Sequence, residues 1–225
     1  MNTAPPQQPI VILISGRGSN MHALIDRSRQ RGAPYVVSHV FSDRADAPGL
    51  AAARDCEIPV RALPSAKGAD RAAYDRALAD AIDEVSPSLI VLAGFMRILT
   101  AQFVQKFAGK ILNIHPSLLP KYPGLHTHRR AIEAGDKLHG ATVHFVTEEL
   151  DGGPRIIQAR VAVATDDTED SLAMRVLAQE HRIYPLAVSW FCEGRLRYQA
   201  GKALMDGRPL SEPIPYSDLE TCISP

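Results

Sequence analysis

An amide and an imidazole two residues apart, Asn113 and His115, sit in the run Ile111-Leu112-Asn113-Ile114-His115-Pro116-Ser117-Leu118-Leu119-Pro120. On an extended backbone, side chains two apart point to the same side. Pro116 fixes its own φ and biases His115 away from helix, so the imidazole reads as standing where a strand gives way to a loop. A fixed N–H donor and a titratable donor then face one small volume. Such a pair suits a carbonyl oxygen that becomes an oxyanion. Asn-x-His after a strand is more often structural when it stands alone. Here it is followed by Lys121-Tyr122-Pro123-Gly124-Leu125-His126-Thr127-His128-Arg129 and by Glu149-Leu150-Asp151-Gly152-Gly153-Pro154, which shift the balance.

Asp151 precedes Gly-Gly-Pro, a sharp and unusual loop. Alone it reads as an Asx-turn carboxylate. Beside His115 it would be an orienting base that favours imidazolium. Gly16-Arg17-Gly18-Ser19-Asn20 stands at an expected strand-to-helix turn, where free N–H groups and partial positive charge favour a phosphate. A plain tight turn capped by Ser19 or Asn20 fits those residues equally well. The loop lacks the third glycine of a dinucleotide fingerprint, position 21 being Met, and it lacks the Gly-Lys-Ser/Thr of a P-loop. Histidines 126 and 128, and 139 and 144, have loose spacings with no Cys or carboxylate pattern to complete a metal site. Glu180 reads, from its helix position alone, as a solvated helix carboxylate.

These side chains need a frame. Ile10–Ser15, Val36–Phe41, Val60–Leu63, Leu89–Ala93 and Lys110–Ile114 read as strands, the continuous apolar ones as buried on both faces. Asn20–Arg31, Pro48–Asp55, Asp70–Val85, Thr100–Phe107 and Thr127–Ala134 read as helices, Tyr74, Leu78, Ala81 and Val85 marking one helical face. Ala141–Val146 and Ile156–Ala164 follow as strands. A long helix spans Thr168–Phe191, with Pro185 expected to kink it or disturb one turn. Leu196–Tyr198 is a last short strand. The expectation is an α/β fold: one domain, a mostly parallel twisted sheet with helices on both faces, Rossmann-like. Residues 1–9 form a flexible leader, 10–196 the domain, and 197–225 a tail, mobile and with little pattern. The loops at Gly16–Asn20, Gly94–Leu99, Asn113–His115 and Val146–Gly153 each follow a strand. Those on parallel strands converge outside the carboxyl ends, where such sheets bind ligands.

Bulk properties narrow the function. Of the 225 residues 45% are apolar and 22% charged, an ordinary globular balance. The formal net charge is zero, which gives no long-range attraction to nucleic acid or an anionic membrane. Cys56, Cys192 and Cys222 are far apart, with neither a disulfide framework nor a zinc spacing, so a reducing, cytoplasmic compartment is expected. No apolar run approaches a membrane span, and the start lacks the basic region of a signal peptide.

Val11-Ile12-Leu13-Ile14-Ser15-Gly16-Arg17-Gly18-Ser19-Asn20, Ala93-Gly94-Phe95-Met96-Arg97-Ile98-Leu99, Asn113-Ile114-His115-Pro116-Ser117-Leu118-Leu119-Pro120 and Leu150-Asp151-Gly152-Gly153 together resemble the formyltransferases that use 10-formyltetrahydrofolate. Lys121–His128 and Gln179-Glu180-His181 are most similar to the branch whose acceptor is glycinamide ribonucleotide. The resemblance implies one-carbon transfer in purine biosynthesis, with formylfolate as co-substrate and no metal. It implies that Asn113, His115 and Asp151 form a catalytic trio and that Gly18, Ser19 and Asn20 hold the nucleotide phosphate. Glu180 would contact the ribose instead of standing in solvent. Met96, Arg97, Ile98 and Leu99 would line the pterin pocket, and Glu148, Glu149, Leu150, Asp151, Gly152 and Gly153 would close over it. Arg71 would contact the folate near its glutamyl tail. The implied partners are two small molecules, neither nucleic acid nor membrane, with the chain a monomer or homodimer. The branch acting on methionyl-tRNA has a further tRNA-binding domain and the hydrolase branch an N-terminal regulatory one, and neither suits this pattern. For 197–225 the resemblance implies no role. A hydrolase of formyltetrahydrofolate, or a binder of folate or nucleotide without catalysis, is the alternative.

Overall fold

Alternation of side chains along the central strands explains how this chain is layered. Ile10, Ile12 and Ile14 belong to one buried cluster, whereas Val11 and Leu13 belong to another. The same split separates Leu89 and Val91 from Ile90 and Leu92, and Leu112 and Ile114 from Ile111. Because a strand sends successive side chains to opposite faces, two apolar cores must lie on the two sides of one sheet. That requirement produces the continuous apolar runs seen in the sequence.

The computed structural model describes residues 6–64, 68 and 70–216. In chain order the elements are β1 (Gln8–Ile14), α1 (Ser19–Ser28), β2 (Tyr35–Ser42), α2 (Pro48–Asp55), β3 (Val60–Ala62), α3 (Arg71–Asp83), β4 (Leu89–Leu92), α4 (Ala101–Lys106), β5 (Ile111–His115), α5 (Thr127–Glu133), β6 (Leu138–Phe145), β7 (Arg155–Ala162), α6 (Glu169–Cys192), β8 (Leu196–Gln199), β9 (Lys202–Met205), β10 (Arg208–Pro209) and β11 (Ile214–Pro215). The main sheet has eight strands in the order β11-β7-β6-β5-β4-β1-β2-β3. Pairings are parallel from β3 through β5 and between β11 and β7, and antiparallel at β5–β6 and β6–β7. The α/β architecture is therefore as expected, a mostly parallel sheet covered on both faces.

Local chemistry accounts for the helix ends. Asp70 accepts the Ala72 N–H at 2.9 Å to start α3, and Thr100 caps α4. Thr168 and Ser171 exchange side-chain and backbone hydrogen bonds as a capping box on α6. Pro185 lies inside α6, which runs unbroken past it. The α6 face carrying Leu172, Val176, Ile183, Ala187 and Trp190 is buried, as its periodicity predicts.

Two boundaries differ from the sequence expectation. The leader is shorter, since Gln8 and Pro9 already pair with Tyr35 and Val36 in β1; residues 1–5 lie outside the described residues. Much of the tail is built into sheets. β8, β9 and β10 form a small antiparallel sheet, and β11 adds to the β7 edge, with the Tyr216 N–H donating to the Gln158 carbonyl at 2.9 Å. These strands are two to four residues long, too short to show a period. Residues 217–225, with Cys222, lie outside the described residues. Among the described residues no helix is long and apolar enough to cross a membrane.

Candidate active site

Register places the amide and the imidazole. Ile111, Asn113 and His115 share one side of β5, the side of the α3 and α4 core. That core stops short of the carboxyl end of β5, leaving a cleft there of about 420 Å³. Gly94–Ile98, Asn113–Pro116, Gly124–His128, Leu150 and Asp151 line it, a size and shape suited to a small molecule. A narrower slot adjoins it, walled by Leu92, Phe95, Ile98, Leu99 and Val104 on one side and residues 146–151 on the other, with Asn113 at its base. Met96, Ile98, Leu125 and Leu150 expose apolar side chains at the cleft, Met96 to 72%. Exposed apolar surface of that kind marks an interaction site or a ligand-binding groove.

His115 is buried and held at both ring nitrogens. Its Nε2 donates to the Tyr122 carbonyl at 2.8 Å, so that nitrogen carries a proton. Its Nδ1 lies 3.4 Å from Asp151 Oδ2. Asp151 Oδ2 also accepts the Gly124 N–H at 2.8 Å. The carboxylate therefore ties the 122–126 segment to the imidazole.

The route of Asp151 to this place is not the one the loop order predicts. β6 runs antiparallel to β5, pairing Phe145 with Leu112 and Thr142 with His115. Residue 146 thus leaves the sheet at the far end of β5, where the Val146 N–H donates to the Ile111 carbonyl at 3.0 Å. The 146–153 segment then folds back along the open side of β5. Gly153 makes the return possible, because a Cβ there would lie 1.9 Å from the Phe145 carbonyl oxygen. Tyr122, His126 and Asp151 all have positive φ, a cost that concentrates at functional sites.

The antiparallel pairing also brings in a residue that sequence reasoning left unassigned. His144 stands directly across from Asn113, and Asn113 Nδ2 lies 3.2 Å from His144 Nε2. Burial pushes the His144 imidazole down to about 4, opposed by its hydrogen bond to the Phe145 carbonyl and by the Asp151 charge. The alternation of Ala141, Val143 and Phe145 toward the core predicts that Thr142 and His144 share the other face. Only the strand order could show that this face meets Asn113.

Other expected site residues fall into separate groups. Arg97 lines both cavities, but its guanidinium stacks over the Tyr74 ring at 3.9 Å. Glu148 and Glu149 line the slot, and Glu148 accepts from Gln105 at 2.7 Å. Gly152 donates its N–H to the Glu149 carbonyl in the loop turn. Gly18 has φ +74 and precedes α1 without a side-chain cap on the first turn of the helix. Asn20 donates to Glu180 Oε2 at 2.6 Å across the α1–α6 interface, and both are buried. Glu180 is thus no solvated carboxylate; burial raises its pKa, opposed by the Asn20 hydrogen bond. None of Gly18, Ser19, Asn20 or Glu180 lines the cleft or slot around His115. Arg71 is exposed at the first position of α3 and also stands outside both linings. His128 and His139 contact each other at 3.1 Å. Among the described residues no group of three or more His, Cys, Asp or Glu is placed to hold a metal.

Comparison with known proteins gives one answer from three directions. A family model described as formyl transferase matches residues 8–188. The chain is 54% identical over 201 residues to the phosphoribosylglycinamide formyltransferase of Escherichia coli, spanning 89% of this chain and 95% of that one. It is 47% identical over 201 residues to the enzyme of the same name from Haemophilus influenzae, with the same shares covered. The solved phosphoribosylglycinamide formyltransferase of Coxiella burnetii is similar at a TM-score of 0.88 and 46% identity, covering 93% of this chain and all of that one.

Proposed function

The chain belongs to the formyl transferase family, and from that premise we propose that it moves a formyl group from 10-formyltetrahydrofolate to the glycyl amine of glycinamide ribonucleotide, a step of purine biosynthesis. The observation that carries the reading is the meeting of Asn113, His115 and Asp151 in one cleft, next to a slot that Asn113 and Asp151 also line. The slot suits the pterin, and the cleft leaves room for an amine to approach the formyl carbon. Gly18, Ser19 and Asn20 are the proposed phosphate holders, with Glu180 toward the ribose and Arg71 toward the folate tail.

Direct attack of the amine produces a tetrahedral carbon bearing an oxyanion. Asn113 donates a hydrogen bond to that oxygen from a preorganised amide, the kind of donor worth most where water is excluded. His115 becomes the second donor by exchanging the Tyr122 carbonyl for the substrate oxygen. Asp151 steadies the imidazolium and receives the proton lost by the amine, and His115 returns a proton to the departing folate nitrogen. No serine or cysteine stands in the trio, so no acyl-enzyme is required.

The test mixes the protein with both substrates and follows folate absorbance, then repeats the run without the nucleotide. Folate turnover that depends on the nucleotide supports transfer. Equal turnover without it would make the chain a hydrolase, and none in either arm a binder.

A further inference from the structure

We infer that His144 is a positioning residue that sets which end of the Asn113 amide faces the reacting oxygen; this rests on the role of Asn113 proposed above. The two ends of an asparagine amide have nearly the same shape, and only one of them donates. An oxyanion needs the donating end, so something must choose it. Across the β5–β6 ladder stands His144, 2% exposed, with its Nε2 3.2 Å from Asn113 Nδ2.

The His144 tautomer is fixed from its other side. Nδ1 lies 2.9 Å from the Phe145 carbonyl, which can only accept, so Nδ1 carries the proton. Burial keeps the ring neutral, with its pKa down to about 4. Nε2 is therefore a bare lone pair. Among the described residues the titratable side chains acting on it are Asp151, whose Oδ1 lies 3.8 Å away, beyond hydrogen-bond range, and His115. Asn113 Nδ2 satisfies the lone pair with one proton and keeps its second for the cleft. The flipped amide would set Oδ1 against Nε2, two acceptors in contact with no proton between them, at a cost paid in a buried site. The Phe145 carbonyl thus orients His144, and His144 orients the oxyanion donor.

Four proteins form the test: wild type, His144→Phe, Asn113→Ala and the double variant, with His144→Gln added as the conservative replacement. Phe keeps a ring but offers no acceptor, whereas Gln can return an acceptor near the Nε2 position. We expect kcat of His144→Phe to fall about 10- to 100-fold, as a misplaced catalytic group does, with both KM values within about threefold and Gln restoring most of the loss. In the Asn113→Ala background the same Phe substitution should change kcat by less than about threefold, since the group it positions is gone. Equal losses in both backgrounds would overturn the inference while leaving Asn113 in place. A fully active Asn113→Ala enzyme would instead overturn the reading beneath it. Should the Phe variant not fold, nitrogen-15 spectra of the wild-type histidine rings decide the matter: His144 must carry its proton on Nδ1 at neutral pH, and a proton on Nε2 refutes the proposal.

Discussion

Asp151 Oδ2 lies 3.4 Å from His115 Nδ1, although the loop that carries Asp151 leaves the sheet at the opposite end of β5 from His115. Both side chains are buried. A contact of this length depends on its geometry being held, and here the Gly124 N–H and the Tyr122 carbonyl hold the two partners from the outside. The 146–153 segment is thus a bridge whose far end delivers the carboxylate, so disturbing the bridge and removing the charge should have different signatures.

Removing the charge is tested by Asp151→Asn. Asparagine keeps the size and tolerates the φ of +53 at this position, so the loop should still close. We expect kcat to fall on the order of 100- to 1000-fold, as for loss of a preorganised electrostatic partner. The midpoint of thermal unfolding should stay within about 3 °C of wild type. His115→Ala and Asn113→Ala should show losses of similar order, and steady-state formyl transfer with circular dichroism melts checks all of them. Near wild-type turnover in a folded variant would remove that residue from the trio.

Disturbing the bridge is tested by its two glycines. At Gly153 a Cβ would meet the Phe145 carbonyl oxygen at 1.9 Å, and backbone cannot yield cheaply. At Gly152 the obstacle is the Glu149 side chain, at 2.3 Å, which can swing away because Glu149 is exposed. Gly153→Ala should cost about 1–3 kcal/mol, seen as a lower melting midpoint, and should raise the KM for formylfolate. Gly152→Ala should do markedly less of both. The reverse ranking, measured by melts and folate titrations, would mean the segment is not held as described.

How far the sequence could foretell these relationships depended on the range of each interaction. Apolar runs, Gly-Pro punctuation and caps are local, so β1 through α6 lie within a few residues of their expected places. Asn113 and His115 were legible because two-residue spacing on a strand needs no tertiary knowledge. Asp151 could be suspected but not placed, since its position depends on β6 running antiparallel to β5. His144 was illegible for the same reason: its partner is set by strand order, and a lone histidine in a strand carries no sign of what stands opposite. The tail from β9 to β11 was hidden by strands too short to show alternation.

The phosphate assignment predicts a split between the two substrates. Gly18 has φ +74, a conformation that costs a β-branched residue on the order of 1–2 kcal/mol. Gly18→Val should therefore distort the turn before α1 and swing its N–H groups off an anion. The KM for glycinamide ribonucleotide should rise about tenfold, the equivalent of ~1.4 kcal/mol, while that for formylfolate moves by less than about twofold. A larger effect on folate would remove Gly18, Ser19 and Asn20 from the nucleotide site.

Glu180 is predicted to trade stability for binding, and the sign of its pH dependence exposes the trade. Burial raises its carboxyl pKa in the fold above the ordinary 4.5, so folding favours the protonated form. The stability this group contributes is present in full below about 4.5 and is lost as pH rises through the raised native value. Glu180→Gln imitates the protonated form and can still accept from Asn20. At neutral pH the variant should therefore unfold at higher denaturant than wild type, and the gap should close as the solution is acidified toward 4.5. The same variant should bind the nucleotide more weakly, because a neutral amide is a poorer acceptor for a ribose hydroxyl than a carboxylate. If Glu180→Gln is instead less stable at neutral pH, the hydrogen bond from Asn20 to the charged carboxylate outweighs the cost of burying it, and Glu180 serves the α1–α6 interface before it serves a ligand.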